Sequence, residues 1–161
     1  MTFDTVLRDT FPGAMDELEF VRATQQALQP LGFLRKSTLV CVATCRDEIS
    51  QSKVDHVRDL WGLSFNLAGL AGMTFAGKTG FGAALHHAPQ VGGRERYVFY
   101  AGPHVGIGPE GEPGVVEREG RQEPSTACGA LLALLGELQG DRLGAENDPD
   151  DVEQGLIRQR I

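Results

Sequence analysis

The chain has 161 residues, 41% of them hydrophobic, which suits one domain of ordinary size with a single core. Its formal net charge is -7 and no block of lysine and arginine offsets it, which argues against nucleic acid and anionic membranes as partners and favours a small or neutral substrate. Residues 1–13 lack the pattern of a signal peptide, and no apolar run is long enough to cross a bilayer. We therefore expect a cytoplasmic protein whose three cysteines are free, metal-bound or reactive rather than paired as disulfides.

The first half of the chain predicts a helix, a strand and a second helix. Apolar residues at helical spacing indicate a helix over 15–28, which Pro30 and Gly32 would end. Residues 37–44 are the best strand, because they contain an uninterrupted apolar run. Residues 52–63 carry their apolar side chains on one face, which predicts the second helix.

The second half of the chain is rich in glycine and predicts shorter elements. Residues 65–84 are expected to form tight backbone rather than a long regular helix, and residues 96–101 form the second clear strand. No repeat and no linker interrupts the sequence, so one α/β domain over 1–161 is the simplest interpretation. The remaining expected elements are a helix near 82–87, short strands and turns over 105–119, a helix over 125–138 that Ser125 caps, and a last helix over 148–161.

Cys45 and Asp47 follow directly after the strand that ends at Thr44. Side chains two positions apart in an extended segment point to the same side, and at the carboxyl end of a strand that side faces the usual ligand crevice. A thiolate can bind a soft cation, and a nearby carboxylate can orient water. The alternative is a buried cysteine followed by an acid that caps the next helix. Cys41, in the middle of the strand on the same face, is interpreted as a core residue.

Two more candidate ligands lie downstream. His104 follows the strand that ends at Ala101, and Cys128 is expected in the first turn of a helix, where the helix dipole favours a thiolate. Taken singly, His104 also fits a turn histidine and Cys128 also fits core packing. Together with Cys45 they place three soft ligands at the ends of elements, where a metal site can be built.

Two other motifs have ordinary alternatives. Residues 72–79 satisfy the phosphate-loop pattern G-x-x-x-x-G-K-[ST], which binds nucleotides when a strand precedes it and a helix follows. Glycine interrupts the segment before it, and the glycines after it place the expected helix start near Gly82 rather than at Thr79. His86 and His87 are adjacent, so at most one is expected to face a given site, either as a proton relay or as a surface histidine.

Several blocks of the sequence, in order from about residue 38 to 130, resemble the limiting carbon dioxide-inducible protein B/C family. Active members of that family are theta-class carbonic anhydrases with a zinc site similar to that of the beta class. The blocks that carry the resemblance are Cys45-Arg46-Asp47-Glu48, Asn66-Leu67-Ala68-Gly69-Leu70-Ala71-Gly72, Gly77-Lys78-Thr79-Gly80, His87-Ala88-Pro89, Gly102-Pro103-His104-Val105-Gly106-Ile107 and Ser125-Thr126-Ala127-Cys128-Gly129-Ala130.

The resemblance implies a fold and a set of site residues. It implies a mixed central sheet flanked by helices, similar to beta carbonic anhydrases, and a homodimer. Cys45, His104 and Cys128 match the ligands of a Zn²⁺ ion, with a fourth position left for water. Asp47 matches the aspartate beside that water. The arginine that pairs with this aspartate in the beta class would fall at residue 49, which is isoleucine here, so Arg46 is the nearest candidate partner.

The function that the resemblance implies is reversible hydration of carbon dioxide to bicarbonate by a zinc carbonic anhydrase. His87 is the candidate proton relay, and Phe65, Leu70 and Phe75 are candidates for an apolar pocket that accepts the gas. Because some members of the family keep the site without activity, a non-catalytic zinc-binding protein with a regulatory or partner-binding role is the main alternative. A metal-free cysteine nucleophile activated by His104, and a nucleotide-binding protein using Lys78, are the remaining hypotheses.

Overall fold

The computed structural model describes residues 2–74, 76–140 and 149–160. Two compact units are distinguished in it. Residues 15–102 form one unit, and the first 14 residues together with residues 103–161 form the other. None of the helices in the described part is long and apolar enough to cross a membrane.

The unit of residues 15–102 is built on a three-stranded parallel sheet in the order β2-β1-β3. The central strand β1 is buried along its whole length, as expected for a parallel strand covered on both faces. Its register places Val40 opposite Ser64 on one side and opposite Val98 on the other. The strands are β1 (Leu39–Thr44), β2 (Ser64–Asn66) and β3 (Tyr97–Gly102).

Helices cover both faces of this sheet. On one face, Val21 of α2 (Glu17–Leu28) and Trp61 of α3 (Gln51–Trp61) are buried against Val40 and Val42. On the other face, Ala84 of α4 (Gly77–Leu85) packs in a second cluster with Leu39, Cys41 and Ala43. The predicted α/β class with a sheet flanked by helices is confirmed. The resemblance implies a mixed sheet, whereas the three described strands are all parallel.

The predicted helices of this unit differ from the structure mainly at their ends. The helix expected from residue 15 begins at Glu17, because Asp16 caps it by accepting the N–H groups of Leu18 and Glu19 at 2.9 and 3.1 Å. The helix expected to reach residue 63 ends at Trp61, where Gly62 adopts a positive φ of 97°.

The Gly-rich segment contains the largest correction. The helix expected near Gly82 begins at Gly77, five residues earlier than glycine propensity predicts. Ala84 in this helix and Ala76 just before it pack against the core, and this tertiary packing outweighs the weak helix propensity of glycine. The short strand β2 within the same segment is absent from the sequence prediction.

The second unit contains α1 (Phe3–Thr10), an antiparallel pair of β4 (Val115–Val116) and β5 (Ser125–Thr126), α5 (Gly129–Gln139) and α6 (Val152–Arg158). The α1 helix is absent from the sequence prediction. The last helix was expected over 148–161, of which 148 and 161 lie outside the described residues. It forms α6 and contacts α5 through a forked ion pair from Arg158 to Glu137 at 2.5 and 2.6 Å.

The expected cap of α5 is wrong. Ser125 lies in β5, where its hydroxyl accepts a hydrogen bond from Arg118 Nε at 2.7 Å. The helix begins three residues later than the Ser125 cap requires, and Cys128 occupies the N-cap position instead of the first turn. The extended backbone of β4 and β5 holds Ser125, so the helix starts only after this pair ends.

Candidate metal centre

The backbone after β1 holds Cys45 in a defined position. A parallel bridge pairs Cys45 with Gly69, and the Arg46 N–H donates to the Gly69 carbonyl at 3.2 Å. This pairing extends the strand by one residue, so the alternation of side chains puts Cys45 on the face of Cys41 and Ala43. The Cys45 side chain is buried, with only 4% of the residue exposed.

The loops that carry His104 and Cys128 are joined by backbone hydrogen bonds. The Gly106 N–H donates to the Ala127 carbonyl at 3.0 Å, the Ala127 N–H donates to Gly114 at 3.0 Å, and the Gly114 N–H donates to Gly106 at 2.7 Å. This ring of three bonds lies two residues after His104 and one residue before Cys128. It therefore fixes the backbone on which both side chains stand.

Gly106 is required by the closeness of this packing. A Cβ atom at this position would collide with the carbonyl group of Val115, approaching its carbon to 2.9 Å. Any side chain here would push apart the loops that carry His104 and Cys128. Sequence reasoning missed this role, and its only signal was the position of Gly106 inside one of the family-like blocks.

Three predicted ligands come together. The Sγ atoms of Cys45 and Cys128 and a ring nitrogen of His104 all lie within 4.8 Å of one another. Cys45 and Cys128 are buried and His104 is half-buried. Two thiols and one imidazole are the donors that Zn²⁺ prefers, and three protein ligands are the number that catalytic zinc sites use. The group fits a zinc ion by its chemistry and by its spacing.

Asp47 does what the ordinary interpretation of its position predicts. Its Oδ1 accepts the Ile49 N–H at 3.2 Å and caps a 3₁₀ turn, Glu48–Ser50, that leads into α3. The residue is half-buried, whereas Arg46 is exposed. Capping by one oxygen is compatible with a second acceptor role, because a carboxylate can accept about four hydrogen bonds.

His87 lies at the other end of the sheet from Cys45. It follows α4, is exposed, and its ring lies 5.3 Å from the ring of Phe65 between centroids. Phe65 pairs with Cys41, four residues before Cys45, and four strand residues span about 13 Å.

Of the predicted apolar pocket residues, Phe65 and Leu70 are half-buried, and Phe75 lies outside the described residues.

The segment with the phosphate-loop pattern is followed by the helix that a phosphate loop requires, but it is not preceded by the required strand. The helix α4 begins at Gly77, so Lys78 and Thr79 stand in its first turn, contrary to the later start expected from the sequence. The element before the pattern is a 3₁₀ turn, Leu70–Gly72, instead of a buried strand. Lys78 is exposed.

The three cysteines differ in their surroundings, although none forms a disulfide. Cys41 is completely buried among apolar side chains, and burial raises its pKa above the ordinary value of 9.0. A raised pKa keeps this thiol protonated and unreactive. The assignment of Cys41 to the core is consistent with this environment.

The chain belongs to the family of limiting CO2-inducible proteins B/C, beta carbonic anhydrases, whose model matches residues 14–161. It is similar to the solved structure of PtLCIB4, a homolog of the limiting CO2-inducible protein LCIB, with 32% identity and a TM-score of 0.85 over 96% of this chain. It is also similar to LCIB itself, with 34% identity and a TM-score of 0.75 over 96% of this chain. The chain spans 63% and 62% of the lengths of those two proteins. No curated protein matches it.

Proposed function

We propose that this protein is a zinc-dependent carbonic anhydrase that catalyses the reversible hydration of carbon dioxide to bicarbonate. The observation that carries the proposal is the meeting of the ligand atoms of Cys45, His104 and Cys128 within 4.8 Å. Membership of a family described as beta carbonic anhydrases supports the same reaction.

Cys45 and Cys128 would hold the zinc as thiolates, and His104 would hold it as a neutral imidazole. When bound, zinc supplies Lewis acidity that can lower the pKa of a water molecule to about 7. The burial of both cysteines excludes bulk water from their sulfur atoms, and the Gly106–Ala127 backbone bond joins the loops that carry His104 and Cys128. Both features support a preorganised site.

Asp47 is proposed to accept a hydrogen bond from the reacting water. Its hydrogen bond from the Ile49 N–H fixes the direction of the carboxylate. A fixed carboxylate can hold the water in one orientation, so that an oxygen lone pair is directed at the carbon of carbon dioxide. Arg46 is proposed to pair with Asp47. His87 is proposed to pass the proton to solvent, and because it lies at the other end of the sheet from Cys45, the proton would have to reach it through water.

Stopped-flow hydration of carbon dioxide by zinc-loaded protein tests the proposal, with two substitutions of Asp47 as the comparison. Asn is a good helix cap, so Asp47→Asn should keep the 3₁₀ turn and bind zinc while losing about 100-fold or more in kcat/KM. Asp47→Ala should lose the same activity and in addition about 1 kcal/mol of stability. Arg46→Gln and His87→Ala should bind zinc normally and lower the rate to a smaller degree.

The metal content separates the proposal from its alternatives. Cys45→Ser should lose stoichiometric zinc and activity together, whereas Cys41→Ala should keep both. Fully metallated protein without hydration activity would contradict the proposal and favour a non-catalytic zinc-binding protein. Activity that survives chelators and is abolished by alkylation of one thiol would instead indicate cysteine chemistry.

Two broader features are also proposed. We infer that residues 1–161 act as one carbonic anhydrase-like domain and that the protein forms a homodimer, which sedimentation velocity would measure directly. This chain spans only 63% of the length of PtLCIB4, so activity should be measured directly on the 161-residue protein.

A further inference from the structure

A groove of about 600 Å³ opens at the amino-terminal ends of the strands β1 and β2. Thr38 and Leu39, at the start of β1, and Ser64 and Phe65, at the start of β2, form its floor. Cys45 follows the opposite, carboxyl-terminal end of β1. The groove is therefore a separate feature from the candidate metal centre.

The charges along the groove are all of one kind. Arg35 and Lys36 line it, and none of its described lining residues is acidic. Arg35 Nη1 donates to the backbone carbonyl of Asp59 at 3.1 Å, and within the described residues neither cation forms an ion pair with a carboxylate. In a chain with a net charge of -7, two neighbouring cations without acidic partners mark a local site for an anion.

Thr38 gives the groove a buried polar group with an unused hydrogen-bonding capacity. The residue is only 5% exposed, and its Oγ1 atom has no hydrogen-bond partner among the described residues. A buried hydroxyl without a partner is unfavourable, and valine would fill the same volume without that cost. The Oγ1 atom is covered by its neighbours, so it can donate to a ligand oxygen between the two cations only when the side chains around it move.

The remaining walls are apolar. The ring of Phe65 stacks at a tilt on His87, and Leu63, which is 90% exposed, stands at the rim. Apolar side chains beside the two cations and Thr38 favour a ligand with both a charged end and an apolar body. Inorganic phosphate would use the cations alone and leave these walls in water.

We propose that this groove binds a small organic monoanion, a carboxylate attached to an apolar or aromatic body. Arg35 and Lys36 attract the carboxylate, the Thr38 hydroxyl donates a hydrogen bond to it, and Phe65 and Leu63 contact the body. The site uses none of the metal ligands, although its lining includes His87, the proposed proton relay.

Benzoate is the probe, with benzyl alcohol as its neutral counterpart. In ¹H–¹⁵N NMR titrations of the zinc-loaded 161-residue protein, benzoate should cause saturable shifts centred on Thr38, Ser64 and Phe65. Benzyl alcohol should bind at least about tenfold more weakly, because it lacks the charge that the two cations recognise. Raising the salt concentration should weaken benzoate binding.

Matched variants isolate each contact. Thr38→Val should weaken benzoate binding about tenfold while leaving the melting temperature unchanged or higher, and Thr38→Ser should bind as the parent does. Arg35→Gln and Lys36→Gln should each weaken binding several-fold, whereas Lys78→Gln, which removes a lysine outside the groove, should not. Cys45→Ser should still bind benzoate, which separates this site from the metal centre.

Several results would overturn the proposal. These are unchanged affinity in Thr38→Val, equal binding of benzyl alcohol, equal binding of inorganic phosphate, or shifts centred on Arg46 and Asp47 that vanish in Cys45→Ser. Non-saturable shifts spread over the surface would also overturn it, because they indicate adventitious binding only.

Discussion

Cys41 and Cys45 stand on the same face of one strand, yet their surroundings give the two thiols different chemistry. Cys41 is enclosed by Leu39, Ala43 and Ala84, whereas Cys45 stands where the strand ends. Burial among apolar side chains disfavours the thiolate, so the pKa of Cys41 is raised. The position of a cysteine along the strand thus separates the core thiol, Cys41, from the candidate metal ligand, Cys45.

The raised pKa of Cys41 predicts a loss of stability at alkaline pH. Above the ordinary value of 9.0 the unfolded thiol loses its proton while the folded one keeps it, so the unfolded state is favoured as pH rises. Well below pH 9 the thiol is protonated in both states, so the contribution of Cys41 to the free energy of unfolding is fully present. Urea unfolding from pH 7 to 10.5 should show a smaller alkaline decline in Cys41→Ala than in the parent. Parallel declines in the two proteins would show that Cys41 does not titrate in this way.

Two residues of the candidate site could be singled out because each follows a predicted strand. Cys45 follows an apolar run that favours a buried strand, and His104 follows the strand predicted over 96–101. Cys128 follows no strand of this kind, and its predicted place in the first turn of a helix was wrong, since it is the N-cap of α5. The meeting of Cys45 and His104 with Cys128 was expected from the family resemblance, since spacing along the chain alone says nothing about which loops approach. The approach depends on backbone bonds such as Gly106 to Ala127, which carry no side-chain signal.

At the level of elements, the loop around Gly106 shows how backbone packing supports the candidate site. Gly106→Ala should cost about 1–3 kcal/mol of stability and weaken zinc affinity about 10- to 100-fold, because the added methyl displaces the Val115 carbonyl. Urea unfolding and competition with a zinc chelator measure the two effects.

Gly136→Ala in α5 is the matched control. Its added Cβ would meet nothing within 4 Å, so this variant should keep the parent zinc affinity and gain about 0.5–1 kcal/mol from better helix propensity. Unchanged zinc affinity in Gly106→Ala would show that the loop tolerates the side chain and does not position the ligands.

The elements divide clearly by how well the sequence predicts them. The strand β1 and the helices α2 and α3 have long apolar patterns and were predicted within about two residues at most ends. The helix α4 contains three glycines and the strand β2 has three residues, so neither has a pattern of its own. Both depend on packing against β1, which local propensity does not include.

At the scale of the whole molecule, zinc should be coupled to folding. A metal that binds the folded chain at about 1,000 times its dissociation constant adds about 4 kcal/mol, which corresponds to roughly 10 °C in melting temperature for a chain of this size. Calorimetry of zinc-loaded protein should therefore give one transition that chelator moves down by about this amount.

The Cys45→Ser protein provides the control for this coupling. Its melting temperature should be nearly insensitive to zinc, whereas that of Cys41→Ala should respond as the parent does. Two separate transitions in the zinc-loaded protein would contradict the inference that residues 1–161 behave as one domain.

The single tryptophan of the chain is Trp61, which is 1% exposed and donates its indole N–H to Tyr100 Oη at 2.9 Å. Trp61 is also one of the residues that line the groove at the start of β1. The protein thus carries a built-in optical reporter: its fluorescence emission should shift to the red when the unit of residues 15–102 unfolds. The same signal should change in intensity when an aromatic molecule settles beside Phe65, so folding and occupancy can be followed without any attached dye.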